Sequence, residues 1–140
     1  MKHKFTFPSE TTALREVRRW VKNVLQNNAP KEAPIPEMVL ALDEACTNVI
    51  RHAYCGARGR PIRLGIECGP HRIRCEVRDY GVPCEPEKLP GRPKGRLTAG
   101  GWGLHIIREV FDEVRYEPCE RGPRLILVWK TPRPDGNALA

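Results

Sequence analysis

A chain of 140 residues is long enough to bury a real core without metal or disulfide staples, and its formal charge of +7 at pH 7 first suggests an anionic partner. The distribution argues against direct contact with nucleic acid: Arg and Lys are spread from Arg15 to Arg124, with no helix-turn-helix or zinc-finger spacing and no interleaved aromatics to stack on bases. No apolar run approaches the ~18 residues of a membrane span, and Met1-Lys-His-Lys-Phe-Thr-Phe7 lacks the apolar stretch of a secretory signal, so the expectation is a soluble, cytoplasmic protein with no membrane contact.

His3 to Phe7 alternates polar and apolar residues and predicts an edge strand closed by Pro8. Ser9 is the expected N-cap of a first helix running to about Asn28, with Leu14, Val17, Val21 and Leu25 at helical spacing. After a short linker around Pro34 and Pro36, Met38 to about Tyr54 reads as a second helix. Val39, Leu42, Cys46, Val49, Ile50 and Ala53 share one arc of it, and Glu44 and Asn48 are expected nearly opposite. Ile62 to Cys68 and Ile73 to Asp79 both alternate with period two around Gly69-Pro70, a hairpin signal. From Gly81 to Gly101 prolines and glycines replace any pattern, and a loop of about twenty residues usually marks a lid or binding loop. Gly103 to Phe111 reads as a short helix. Val114 to Tyr116 and Arg124 to Trp129 read as strands joined by a turn at Glu120 to Pro123. The order β-α-α-β-β-lid-α-β-β implies an α/β (α+β) two-layer sandwich, helices on one face of a mixed, mostly antiparallel sheet. It is expected to form one domain over residues 1–132, followed by a disordered tail, 133–140.

The six cysteines are scattered, with no C-x-x-C pair and no His at zinc spacing. Cys46, Cys68 and Cys75 fall inside apolar patterns, so reduced, buried thiols are expected rather than a metal cluster.

Three polar and glycine clusters remain. In Glu44-Ala-Cys-Thr-Asn48, residues four apart stand one turn above each other on the same helix face. An Asn oxygen there suits Mg²⁺, and a carboxylate one turn earlier suits a general base. Asp79 ends a strand and Tyr80-Gly81 follows, so a carboxylate acceptor for an exocyclic amine of adenine stands beside a glycine that admits a planar ring. Gly100-Gly101-Trp-Gly103 opens a helix, where free N–H groups and a partial positive charge favour phosphates. Taken singly, each cluster is also what an exposed helix face, a turn-initiating Asp or a flexible turn would present.

In this order the clusters resemble the N-box, G1 box and G2 box of the GHKL (Bergerat-type) ATPase superfamily. The compact size, Asn48-Val-Ile-Arg-His52-Ala-Tyr54 and Gly-Gly-Trp-Gly-Leu-His-Ile-Ile are similar, more narrowly, to the anti-sigma-factor serine/threonine kinases. The resemblance implies the Bergerat ATP-binding fold, ATP and Mg²⁺ as cofactors, Glu44 as catalytic base and Asn48 as the metal ligand. It further implies nucleotide contacts from Asn48, Arg51, Asp79, Gly81, Val82, Thr98, Gly100, Gly101, Trp102, Gly103 and Leu104. His52 matches a family histidine to which no role is assigned, and a packed helical His is the simpler reading. The implied activity is phosphorylation of a STAS-type anti-sigma-factor antagonist, with sequestration of a sigma factor by partner switching. A homodimer is compatible with that family. One departure stands out: some relatives carry a lid arginine just before the final glycines, whereas Ala99 and Gly100 stand here, leaving Arg96, Lys94 or Arg92 as substitutes. The alternatives are an ATP-binding partner-switch protein without kinase activity and a detached histidine-kinase catalytic domain.

Overall fold

The computed structural model describes residues 2–80, 102–118 and 122–131, with the side chains of residues 53, 55 and 102–104 excepted. The expected lid and tail therefore lie outside the described residues. So do Gly81, Val82, Thr98, Gly100, Gly101, the lid cations and most of the turn before Pro123.

Five strands, β1 (Lys2–Pro8), β2 (Pro61–Cys68), β3 (Arg72–Asp79), β4 (Glu113–Glu117) and β5 (Arg124–Lys130), form one sheet in the order β1-β2-β3-β5-β4. Every pairing among them is antiparallel, so the sheet is not mixed. The hairpin read from the alternation of β2 and β3 is present, with Ile62 opposite Asp79 and Cys68 opposite Ile73, and Gly69 N–H donates to the Arg72 carbonyl across its turn (2.8 Å). β5 leaves a hairpin with β4 and inserts beside β3, which places β4 at the edge. The composition explains this: Leu125 to Trp129 are buried without a break, whereas no residue of β4 is fully buried.

Among the described residues three α-helices cover one face: α1 (Leu14–Asn28), α2 (Ile35–His52) and α3 (Trp102–Val110). α2 packs between α1 and α3 and lies against β3. Val17, Val21 and Leu25 from α1, Met38, Leu42 and Cys46 from α2, and Ile107 from α3 meet Ile62, Leu64, Ile73, Val77 and Leu127 in a single core. At roughly 25 cal/mol per Å² of apolar surface, this shared burial, rather than helix propensity, holds the layers together.

Three local expectations change. Ser9 does not cap the first helix: a 3-10 turn, Thr11–Ala13, precedes α1, and no side chain caps either. Instead the buried Ser9 hydroxyl donates to the Ala57 carbonyl (2.7 Å) and accepts from Arg60 N–H (3.0 Å), tying the end of β1 to the α2–β2 connection. α2 begins at Ile35 rather than Met38, because Pro36 sits in its first turn, where a missing N–H costs nothing. Its buried stripe is also wider than the spacing predicts: Ala41 and Ala45 are fully buried, so Asn48, two turns and one turn on from them, lies at the rim of the packed face and not opposite it.

The other sheet face carries charge. Arg124 pairs with Glu76 (3.3 Å) and Glu117 (2.8 Å), and Arg74 and Arg115 extend the lattice. Ile126 and Val128 are buried beneath it, flanked in register by Glu76, Arg115, Arg74 and Glu113. Long charged side chains thus use their aliphatic stems as cover. Cys46 and Cys75 are buried and Cys68 is partly buried, as their apolar settings imply, and burial pushes all three thiols above the ordinary cysteine range.

Candidate nucleotide site

In β3 the inward set Ile73, Cys75 and Val77 ends in Asp79, so the strand's own period turns a carboxylate toward the helices where a fourth apolar side chain would fit. Asp79 is only 6% exposed. Facing it is the last third of α2. Asn48, Val49 and His52 line a cavity of about 40 Å³ together with Val77, Asp79, Ile107, Val114, Tyr116, Pro123 and Leu125. Asn48 and Asp79, 31 positions apart and from different layers, thus share one space.

The walls are mostly apolar and come from α2, α3 and three strands, with Asn48 and His52 of α2, Asp79 at the end of β3 and Tyr116 of β4 as the polar lining. A mostly apolar cavity whose wall includes one carboxylate and one carboxamide can take a flat ring that carries hydrogen-bonding groups at its edge. Glu44, one turn before Asn48, is half-buried and not part of the cavity wall. Arg51 is exposed in the last turn of α2, also off the wall. His52 does line the cavity and is half-buried, which a purely packed helical histidine would not require. The backbone of residues 102–104 forms the first turn of α3, the end of that helix where backbone N–H groups lack intrahelical acceptors.

Sequence reasoning missed the apolar walls. Val114, Tyr116 and Leu125 were legible as strand residues, but their share in the cavity depends on β5 inserting between β3 and β4. Val49 packs against the core, as its place in the apolar arc implies, and also lines the cavity.

The residues present suit the groups the cavity shape suggests. Asn48 offers one hard oxygen, which is what Mg²⁺ takes from protein when phosphates and water supply its other ligands. Asp79 offers a buried carboxylate in a largely apolar setting, where hydrogen bonds to it are strengthened by the low local dielectric.

Comparison with known proteins bears on the fold and the family. The sequence profile of the histidine kinase-like ATPase domain matches residues 7–129. The chain is 29% identical over 89 residues to the serine-protein kinase RsbW of Oceanobacillus iheyensis, covering 58% of this chain and 56% of that protein. It is 26% identical over 91 residues to RsbW of Bacillus subtilis, covering 59% and 57%. The matched region thus spans a little over half the length of these relatives. Among solved structures, one of the RsbU and RsbW domains of a Mycobacterium tuberculosis protein superposes with a TM-score of 0.66 at 20% identity, over 93% of this chain and 32% of that one. The catalytic domain of histidine kinase ThkA superposes with a TM-score of 0.53 at 17% identity, over 92% and 96%. The chain belongs to the family of histidine kinase-like ATPase domains.

Proposed function

We propose that the protein is an ATP-dependent serine/threonine-protein kinase of the anti-sigma-factor type, which phosphorylates a small STAS-type antagonist and sequesters a sigma factor until the antagonist displaces it. The observation that carries this reading is the shared cavity of Asn48 and Asp79 beneath α2 and α3. The similarity to proteins named serine-protein kinase RsbW supports the choice of a hydroxyl acceptor.

Asp79 accepts the exocyclic amine of adenine, and the neighbouring apolar walls take the ring. Gly81, Val82, Thr98, Gly100 and Gly101, outside the described residues, together with Trp102, Gly103 and Leu104 complete the proposed nucleotide contacts, and backbone N–H groups at the start of α3 suit the phosphates. Asn48 would hold Mg²⁺ through its carboxamide oxygen, and the ion would supply charge neutralisation at the phosphates, to which Arg51 and one of Arg92, Lys94 or Arg96 would add positive charge. Glu44 takes the proton from the acceptor's hydroxyl as its oxygen bonds to the γ-phosphorus and the bond to the ADP oxygen breaks. A homodimer in the cytoplasm would suit the partner switch.

Two measurements test the proposal. A ligand present at 100 times its Kd stabilises the native state by about 2.7 kcal/mol, so Mg-ATP and Mg-ADP should raise the melting temperature and GTP should not. With labelled ATP and a purified antagonist, label should pass to Ser or Thr, and Glu44→Ala should abolish transfer while leaving the nucleotide-dependent melting shift. Transfer undiminished in Glu44→Ala, label recovered on histidine, or a melting shift with DNA but not with adenine nucleotides would refute it.

A further inference from the structure

Tyr54, in the 3-10 turn that continues α2, has φ +51°, the only non-glycine residue at positive φ among the described residues. Bulky side chains rarely adopt this conformation, and such outliers gather where surrounding contacts demand them. The contacts here are specific. The Tyr54 hydroxyl donates to the Pro61 carbonyl at the start of β2 (2.6 Å) and accepts from the Tyr80 N–H just beyond β3 (2.8 Å).

The ladder between β2 and β3 ends at the pair Ile62–Asp79, so Tyr80 is past the last strand partner on that side. Its N–H belongs to the same peptide unit as the Asp79 carbonyl. From the opposite side Gly122, at φ +116°, packs so closely that a Cβ there would stand 2.2 Å from the Asp79 carbonyl oxygen. One peptide is therefore held at both ends, by a phenol on its N–H and by bare backbone against its carbonyl. The phenol hangs from the turn that directly continues the helix carrying Asn48.

We infer that Tyr54 is a positioning residue for purine selection: its hydroxyl, with Gly122 behind, fixes the Asp79–Tyr80 peptide against the end of α2, so that the Asp79 carboxylate meets the exocyclic amine while Asn48 faces the phosphates. The inference rests on the nucleotide-site reading above. Tyr54 touches no part of the nucleotide in this scheme and acts through Asp79.

Tyr54→Phe keeps the ring and removes both hydrogen bonds. Affinities of wild type and variant for Mg-ATP and for Mg-purine riboside triphosphate, which lacks the amine, separate positioning from general loosening. Wild type should prefer ATP. The variant should lose about three- to tenfold for ATP and little for the amine-free analogue, compressing the ratio. An unchanged ratio, including an equal loss for both ligands, overturns the inference and leaves the site reading intact. Wild type that binds both ligands equally also overturns it, and wild type that binds no adenine nucleotide overturns both.

Discussion

Replacing Gly122 by alanine should be among the most damaging single-methyl changes available in this protein, and the structure allows the size to be worked out. Two costs add. The first is conformational, since φ +116° lies in a region that L side chains rarely adopt, at about 1–3 kcal/mol. The second is steric: the new Cβ would sit 2.2 Å from the Asp79 oxygen, 2.7 Å from Tyr80 Cα and 2.9 Å from the Asp79 carbonyl carbon, all backbone atoms. Relieving that overlap moves the end of β3 by about 1 Å, and overpacking of this kind costs about 1–3 kcal/mol. Gly56 provides the control, because it has φ +85° but nothing within 4 Å of its would-be Cβ, so Gly56→Ala incurs only the first cost. Gly65 provides the second control. It lies in β2 without a positive φ, and its nearest neighbour, the His3 carbonyl oxygen, is 3.8 Å away, so Gly65→Ala should be neutral or stabilise by up to about 1 kcal/mol. Urea denaturation of the three variants should therefore rank Gly65→Ala above Gly56→Ala above Gly122→Ala, with the last two separated by at least about 1 kcal/mol. Gly122→Ala should also weaken Mg-ATP binding, because the shift lands on the peptide bearing Asp79. Equal stability of Gly122→Ala and Gly56→Ala would show that the close approach is absent and would refute the reasoning.

Thiol chemistry gives a second test. Cys46 and Cys75 are buried with their thiols pushed far up by desolvation, so at pH 8 they should resist alkylation in the native protein, while the partly exposed Cys68 reacts faster, as read by mass spectrometry of labelled peptides. Rapid native-state labelling of Cys75 would contradict the packed core. The Lys130–Glu113 pair at 2.6 Å gives a pH test. The hydrogen bond from Lys130 holds the Glu113 carboxyl below its ordinary range, so its contribution is present above the unfolded-state pKa and is lost as pH falls through the lower folded-state value. Because the pair is exposed, Glu113→Gln should cost less than about 1 kcal/mol at pH 7 and almost nothing in high salt or in strong acid. A larger, salt-independent loss would mean the pair is part of something more than a surface contact.

The sequence by itself determined the two-layer plan, because its signals are local and physical. Period-two alternation at Ile62–Cys68 and Ile73–Asp79 marks strands with one face in oil, and the stripe Leu14, Val17, Val21, Leu25 marks a helix that must bury one side. Those patterns do not depend on what they pack against. The same locality limited the reading. Ser9 looks like a cap, but whether its hydroxyl serves a helix or the distant Ala57–Arg60 backbone depends on how β1 lies beside β2. Asn48 seems to oppose the packed arc until Ala41 and Ala45, too small to signal burial strongly, are seen to be fully buried. The insertion of β5 between β3 and β4 is a long-range pairing, and it brings Leu125, Val114 and Tyr116 to one wall. Local spacing could name Asn48 and Asp79 as chemically apt residues. Only the tertiary structure could put them in one cavity and grip the Asp79–Tyr80 peptide between Tyr54 and Gly122, since contacts between residues far apart in the chain are set by the packing of whole layers rather than by any neighbour's propensity.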